Sequence, residues 1–449
     1  MFRFYLALWA AKLMMVFCNI RKKTDTDLPG HVACKICPSF FETITKPKLI
    51  IAVTGTNGKS MTSALINDFL KYIGMSTSFN DWGANTKAGY ATNFIRGVSL
   101  MNKARVDCSV LEADELTLDD QMAKIGPDYL LVTNIFKDSL NRSSHPENVF
   151  DHIENALRKL GDKTTVLLNA NDPISSELGE GSRRLYYGMG DTRNKVLTNN
   201  TREYSICPRC GGRVKYDYRH YRHIGKFRCD KCGFRTPNMD YDAEFVDLDN
   251  RTMMVNGHEY PLISNTIYNA FNVLSAVAML RELGYREGEI SAFLSSQKSN
   301  DINDTLIEKD GIGYYTFEAG TKSASAVSTV FEVIARDPSD KMVVLLTDDE
   351  DNEEEGSVPA VDKLLNIYER DYGILNDPKI KKIAVTGLMG KQLKMRLTLA
   401  GIPNERILVL KDRADVQKYA GQMVIDKVFF INDADPAAST KDILESIVS

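Results

Sequence analysis

From residue 48 the chain alternates short apolar runs with segments whose apolar positions recur at helical spacing. Residues 49–53 (LIIAV) form a continuous apolar run of strand length. From Ser60 to Ile73, the residues Leu65, Ile66, Phe69, Leu70 and Ile73 repeat at three- and four-residue intervals, which predicts a helix with one buried face. Further apolar runs predict strands over 106–113 (VDCSVLEA), 129–135 (YLLVTNI) and 164–170 (TTVLLNA). Strands that alternate with helices indicate an α/β fold, a parallel sheet with helices on its faces.

The rhythm stops at 201–240, a stretch rich in Cys, Arg, Tyr and Gly that reads as an inserted module. Residues 241–262 carry strand-like runs separated by turn signals at Asp249-Asn250 and Asn256-Gly257. Residues 264–296 return to helix, with Ala270, Val273, Leu274 and Val277 on one face. A second series of strands is expected at 313–318, 341–347, 381–387, 406–410 and 427–432. The expected organisation is an N-terminal helix and leader (1–45), a central α/β domain (46–298) carrying the insertion at 201–240, and a C-terminal Rossmann-like α/β domain (299–449).

Residues 2–19 (FRFYLALWAAKLMMVFCN) are mostly apolar but include Arg3 and Lys12, and Arg21, Lys22 and Lys23 follow. A spanning helix needs about 20 apolar residues, and Lys12 would sit near its centre. No small-residue cleavage site follows. The pattern fits an amphipathic helix packed on the protein body. The alternative is a helix lying on a membrane surface with its cations toward the headgroups.

Hydrophobic residues make up 43% of the 449-residue chain and charged residues 26%, as in a soluble protein with a sizeable core. The net charge of −4 excludes a generic basic surface, so no nucleic-acid partner is expected. The basic aromatic stretch KYDYRHYRHIGKFR (215–228) has the composition of an RNA-binding face, but such a face more often packs on its own protein. The acidic run DDEDNEEE (348–355) reads as a solvated loop.

Two motifs carry chemistry. Cys207-Pro208-Arg209-Cys210 is followed, after 18 residues, by Cys229-Asp230-Lys231-Cys232. Each pair brings two thiolates to one side of a tight turn, and two pairs complete the closed tetrahedral set that zinc prefers. Four protein ligands leave no open position, so the expected zinc is structural. Cysteine pairs of this kind imply a reducing compartment. Cys34 and Cys37 have no partner pair, and no function is assigned to them.

The second motif is Thr54-Gly55-Thr56-Asn57-Gly58-Lys59-Ser60, placed between a strand and a helix. Val53 stands where the strict P-loop pattern has its first glycine. The chemistry is kept: glycines let backbone N–H groups approach phosphate, and the helix N-terminus favours the anion. Lys59 is expected to bridge the β- and γ-phosphates of ATP, and the Ser60 hydroxyl to ligate Mg2+.

This loop resembles the nucleotide loop of Mur ligases and folylpolyglutamate synthases, ATP-dependent enzymes that activate a carboxylate as an acyl phosphate for attack by an amine. Further segments resemble that family in the same order. They are Leu111-Glu112-Ala113-Asp114-Glu115, then Thr133 to Arg142, then Leu168-Asn169-Ala170-Asn171-Asp172-Pro173, and then Tyr268-Asn269-Ala270-Phe271-Asn272. The resemblance implies that Glu112 binds magnesium and that Asn269 contacts adenine. An asparagine at a helix start equally suits a helix cap.

A Mur-type core with an inserted four-cysteine zinc ribbon, and without a UDP-sugar-binding domain ahead of it, is similar to the MurT-type branch of this family, as is the leader LPGHVACKICPSFF (28–41). That branch supplies the synthetase subunit of lipid II isoglutaminyl synthase. The resemblance implies three partners or substrates: lipid II or a related cell-wall precursor, ammonia, and a GatD-like glutamine amidotransferase subunit. It implies a cytoplasmic protein, at the inner face of the membrane where a lipid-linked substrate is met. The C-terminal domain departs from the branch. Ala319-Gly320-Thr321-Lys322 stands where an A-K-N-P segment is usual, and Asp349 and Asp362 are the candidates for its catalytic aspartate. Two other readings stay open at this point: a Mur-like ligase for a different amine and carboxylate, and an ATP-binding scaffold without ligase chemistry.

Overall fold

The computed structural model describes residues 1–20, 27–80, 84–137, 145–191, 205–297, 305–318, 324–347, 367–387, 389–412 and 415–432. These residues fall into two compact units, one reaching to the end of the helix Glu287–Ser296 and the other beginning at the strand Thr305–Lys309. Asp349, Asp362, the acidic run 348–355, the segment 319–322 and the residues from Asp138 to Arg142 lie outside the described residues.

The first unit opens with helices α1 (Phe2–Ile20), α2 (Leu28–Ile36) and α3 (Phe40–Thr43). The order then runs β1 (Leu49–Thr54), α4 (Lys59–Tyr72), β2 (Thr77–Phe79), α5 (Lys87–Arg96), β3 (Cys108–Glu112), α6 (Leu118–Ile125), β4 (Tyr129–Val132), α7 (Pro146–Leu160), β5 (Thr165–Asn169) and β6 (Arg183–Met189). A hairpin of β7 (Val214–Tyr221) and β8 (Ile224–Cys229) precedes β9 (Tyr241–Asp247), β10 (Thr252–Val255) and β11 (His258–Pro261). Helices α8 (Ile267–Glu282) and α9 (Glu287–Ser296) complete the unit.

Its main sheet has nine strands in the order β11-β10-β9-β6-β5-β4-β1-β3-β2. All neighbours from β9 to β2 run parallel, and β10 and β11 add an antiparallel edge. The continuous apolar run of β1 follows from burial on both faces. Ile51 and Val53 join the core under α4, α8 and α9, while Ile50 and Ala52 join the core under α1–α3 and α5–α7. Residues 264–296 form two helices rather than one, because Gly284 adopts a left-handed conformation between them (φ +88°).

Helix α1 packs on the protein body. Phe4, Ala7, Leu8 and Ala11 are buried, and the Phe4 ring stacks on Phe40 with centroids 5.3 Å apart. Burial of Phe4 and Leu8 contributes roughly 2 kcal/mol each. Among the described residues no helix is long and apolar enough to cross a membrane.

The second unit contains β12 (Thr305–Lys309), β13 (Ile312–Glu318), α10 (Ala324–Arg336), β14 (Lys341–Leu346), β15 (Ile380–Thr386), α11 (Gly390–Leu399), β16 (Ile407–Val409), α12 (Asp415–Ala420) and β17 (Lys427–Asn432). Its six-stranded sheet has the order β12-β13-β17-β14-β15-β16, parallel except for the β12–β13 hairpin. Two apolar layers cover its faces, one built with α10 and α11 and the other with α12.

Candidate functional site

The loops that follow β1, β3 and β4 meet at one end of the nine-stranded sheet, the end where open parallel sheets take ligands. Val53 and Glu112 are register partners at that end. Thr54 is buried and its hydroxyl donates to the Ala113 carbonyl at 2.9 Å, tying the loop after β1 to the loop after β3.

The loop after β4 braces the nucleotide loop from the other side. The Thr56 N–H donates to the Asn134 carbonyl (2.8 Å), and the Asn57 N–H donates to Asn134 Oδ1 (3.0 Å). Asn134 Nδ2 returns a bond to the Asn57 carbonyl (3.0 Å), and the Phe136 N–H donates to Thr56 Oγ1 (2.9 Å). The amides of Thr56 and Asn57 are committed in this way, whereas those of Gly58, Lys59 and Ser60 stand at the start of α4, where a helix N-terminus favours anions.

Two glycines are required by position. Gly55 has φ +119°, and a Cβ there would lie 2.3 Å from Thr133 Oγ1. Gly58 has φ +85°, and a Cβ there would lie 2.1 Å from Asn272 Oδ1. The second contact sets α8 against the loop, and a bond between the Thr62 and Ser275 hydroxyls (3.0 Å) joins α4 to α8 one turn further along.

Lys59 bonds Glu115 Oε2 at 2.9 Å and also donates to the carbonyls of Gly55 and Thr56. Burial raises the Glu115 carboxyl above its ordinary range, and the Lys59 ammonium opposes that shift. Glu112 is also buried; its main chain is held by the Asn80 side chain, and its Oε1 accepts from Asn85 Nδ2 at 3.5 Å. Two carboxylates therefore crowd the loop, and only Glu112 was expected there.

Asn269 lies in the first turn of α8, one turn before Asn272. The cap of that helix is Thr266, whose Oγ1 accepts from the Asn269 N–H at 3.3 Å. The capping alternative for the Asn269 side chain is thereby corrected: a hydroxyl three residues earlier holds the first turn.

The segment 168–173 supports the loop after β4. Asn169 Nδ2 donates to the Thr133 carbonyl (3.0 Å), and Asp172 Oδ2 accepts from the Ile135 N–H (2.8 Å). His223, at the tip of the β7–β8 hairpin, lies 3.5 Å from Asp172 Oδ1. Tyr221 of the same hairpin stacks between Phe136 (centroids 5.9 Å) and Tyr268 (4.1 Å). The basic aromatic stretch 215–228 thus turns part of its surface inward, with His220, Tyr221, Arg222 and His223 all buried.

At the other end of that hairpin the thiols of Cys207, Cys210, Cys229 and Cys232 lie within 4.8 Å of one another. The Cys207–Cys232 and Cys210–Cys229 sulfurs are 3.6 and 3.5 Å apart. Four thiolates around zinc, each about 2.3 Å from the metal, stand about 3.8 Å from each other, so the set fits a tetrahedral zinc. Burial pushes the Cys207 thiol up to about 12, whereas backbone N–H groups, that of Cys232 foremost, bring Cys229 down to about 6. A zinc ion requires thiolates and displaces those protons. Phe227 and Phe234 pack beneath the thiols, with the Arg209 guanidinium 4.6 Å from the Phe234 ring centre.

Residues 54–60 and Glu112 are brought to one end of one sheet, Asn269 to the helix packed against that loop, and the four cysteines to one cluster. Glu115, Asn134, Asn272 and Tyr221 lie in segments that the sequence singled out, but no role was assigned to them individually. The adjacent acids of the LEADE segment were the one local signal for Glu115. The other three act through contacts with residues distant in the chain.

The Mur ligase middle domain matches residues 53–216. The lipid II isoglutaminyl synthase (glutamine-hydrolyzing) subunit MurT of Staphylococcus aureus (strain COL) is 28% identical over 429 residues, covering 93% of this chain and 94% of that protein. The MurT subunit of Streptococcus pneumoniae (strain ATCC BAA-255 / R6) is 28% identical over 406 residues, covering 87% and 86%. In fold, the chain is similar to a pseudomurein peptide ligase type C from Methanothermus fervidus, with a TM-score of 0.69 at 18% identity, over 94% of this chain and 85% of that one. A Mur middle domain, relatives matched along nearly their whole length and the shared fold lead to one conclusion: the chain carries a Mur ligase middle domain in a Mur-ligase-type fold and is similar to MurT subunits.

Proposed function

We propose that this chain is the ATP-using synthetase subunit of a lipid II isoglutaminyl synthase. It amidates the α-carboxyl of D-glutamate in lipid II with ammonia that a GatD-like amidotransferase subunit releases from glutamine. The observation that carries this reading is the match to MurT subunits over 93% and 87% of the chain, since a nucleotide loop alone fits many ATP-using proteins.

In the proposed reaction a carboxylate oxygen attacks the γ-phosphorus of ATP, ADP leaves, and an acyl phosphate forms. Ammonia then adds through its lone pair to the acyl carbon, loses a proton, and phosphate departs with the electrons of the C–O bond. The N–H groups at the start of α4 receive the phosphates, and Lys59 exchanges Glu115 for the β- and γ-oxygens. Asn269 is assigned to the adenine. Ser60 and Glu112 would hold magnesium, which would supply positive charge beside the phosphates. Cys207, Cys210, Cys229 and Cys232 hold a structural zinc. Asp349 and Asp362 are the candidates for the catalytic aspartate of the C-terminal domain. A cytoplasmic location at the inner membrane face follows from the lipid-linked substrate.

The test is to supply the purified chain and its amidotransferase partner with ATP, Mg2+, lipid II and glutamine. Amidated lipid II should appear by mass spectrometry with one phosphate released per amide. Absence of the amide even with ammonium as donor would overturn the reading. Amidation with ammonium but not with glutamine would keep the ligase and reject the partner.

A further inference from the structure

Helix α1 has two apolar stripes, and among the described residues only one is covered. Phe4, Ala7, Leu8, Ala11 and Cys18 face the protein, whereas Phe2, Leu6, Trp9, Leu13, Val16 and Ile20 are exposed. The exposed set follows intervals of three and four residues, so it forms a single line along the outer side of the helix. Leu13 is 72% exposed and Ile20 77%, values far from those of side chains packed on a neighbour. The line is continued by the turn that carries Leu100 and Met101, which are 55% and 64% exposed. Trp9 Nε1 donates to the Leu100 carbonyl at 2.9 Å, so helix and turn form one surface.

The two segments that build this surface carry charge of one sign. Residues 2–20 contain no Asp or Glu, and neither do residues 98–105. Arg3 and Lys12 lie on opposite flanks of the stripe by helical position, and both bond backbone carbonyls of neighbouring elements, those of Ile36 and Val98. Lys103 and Arg105 are exposed beyond the turn. An apolar line edged by cations complements a layer of acyl chains beneath anionic headgroups. The packed inner stripe keeps the helix parallel to the surface of the fold, and no described helix can span a bilayer. We infer that the outer stripe of α1, with the Leu100–Met101 turn, docks the protein on the face of an anionic lipid bilayer without crossing it. The inference is in keeping with the lipid-linked substrate proposed above, but it rests on the chemistry of this surface.

The test uses the full chain, without ATP or lipid II, in sedimentation with phosphatidylglycerol–phosphatidylcholine vesicles and with pure phosphatidylcholine vesicles. Binding should be clear on the first, weak on the second, and reduced by salt. A Leu6→Gln, Leu13→Gln, Ile20→Gln triple variant should lose at least about tenfold in partition onto anionic vesicles, with its melting temperature and ATP affinity unchanged. In a Trp82→Phe background, Trp9 emission should shift to the blue on vesicle addition. Equal binding by the variant and the parent, or no binding by the parent, overturns the inference. So does a concentration-dependent dimer that the variant abolishes, which would assign the stripe to a second copy. Loss of vesicle binding in the complex with the amidotransferase subunit would assign it to that partner. Amidation of detergent-solubilised lipid II is measured separately, so failure here leaves the ligase reading standing, and the reverse holds too.

Discussion

The nucleotide loop and the cysteine ribbon are both short motifs, but they are held in opposite ways. The loop spans seven residues, and it is braced by Asn134 of the loop after β4 and Asn272 near the start of α8, both distant in the chain. The ribbon closes on itself: its ligands, its hairpin and its small core of Val214, Phe227 and Phe234 lie within one stretch of chain. One site depends on the tertiary fold being right. The other depends on a cation and a few local contacts. They meet at Tyr221, which belongs to the ribbon hairpin and stacks beneath the first turn of α8.

The largest break in this comparison is at the loop. Lys59→Ala should lower amide formation by about 10²–10³-fold, because it removes the charge opposite the transferring phosphoryl group. Thermal unfolding should change little by comparison. Coupled phosphate release measures the first effect, and calorimetry the second.

The ribbon should break in the reverse manner. Replacing Cys207 with Ser, or stripping zinc with a chelator, should abolish one equivalent of bound zinc and expose the hairpin amides to hydrogen exchange, while the main sheet stays protected. Metal analysis and exchange mass spectrometry read the two parts. If the main sheet exchanges as fast as the hairpin, the ribbon is not self-contained.

Tyr221→Ala tests the junction. Removal of a buried aromatic ring should cost about 3 kcal/mol, and ATP affinity should fall because Tyr268 and the first turn of α8 lose their support. Urea unfolding and nucleotide titration measure the pair of effects. Zinc content should be unchanged.

The smallest effect concerns Glu115. Burial raises its folded pKa above the unfolded value, so the fold prefers its protonated form. Any stability contributed by that preference is present at low pH and is lost as the pH rises through the folded pKa. Glu115→Gln, which stays neutral, should therefore gain stability relative to the parent as the pH rises above the ordinary carboxylate range. A parent that instead gains on the variant over this rise would show that the Lys59 ion pair outweighs the burial of the carboxylate.

How much was legible in the sequence follows the same division. The strand positions of both sheets could be read because buried parallel strands are continuous apolar runs, and β14 and β17 fall at 341–346 and 427–432, within or equal to the predicted spans. The cysteine set was legible because thiol spacing within a turn is local chemistry. Strand β6 was missed, since RRLYYGM opens with two arginines and is fully buried only over its last three residues. Strand β2 has three residues and gives no pattern. No local rule says which of Glu112, Asp114 and Glu115 reaches Lys59, because the chain leaves strand geometry after Glu112 and turns. Nor does any pattern connect Gly58 with Asn272, whose encounter depends on α8 packing against α4.

Docking by the exposed stripe on α1, as inferred above, would have a kinetic consequence. A protein that lies on a bilayer searches for a lipid-linked molecule in a plane rather than in the volume of a cell. Confinement of both partners to that thin layer raises their effective concentration without any added contact between them. Encounter is then set by lateral diffusion, and a loose hold on each lipid-linked molecule would suffice, which favours fast release of the product.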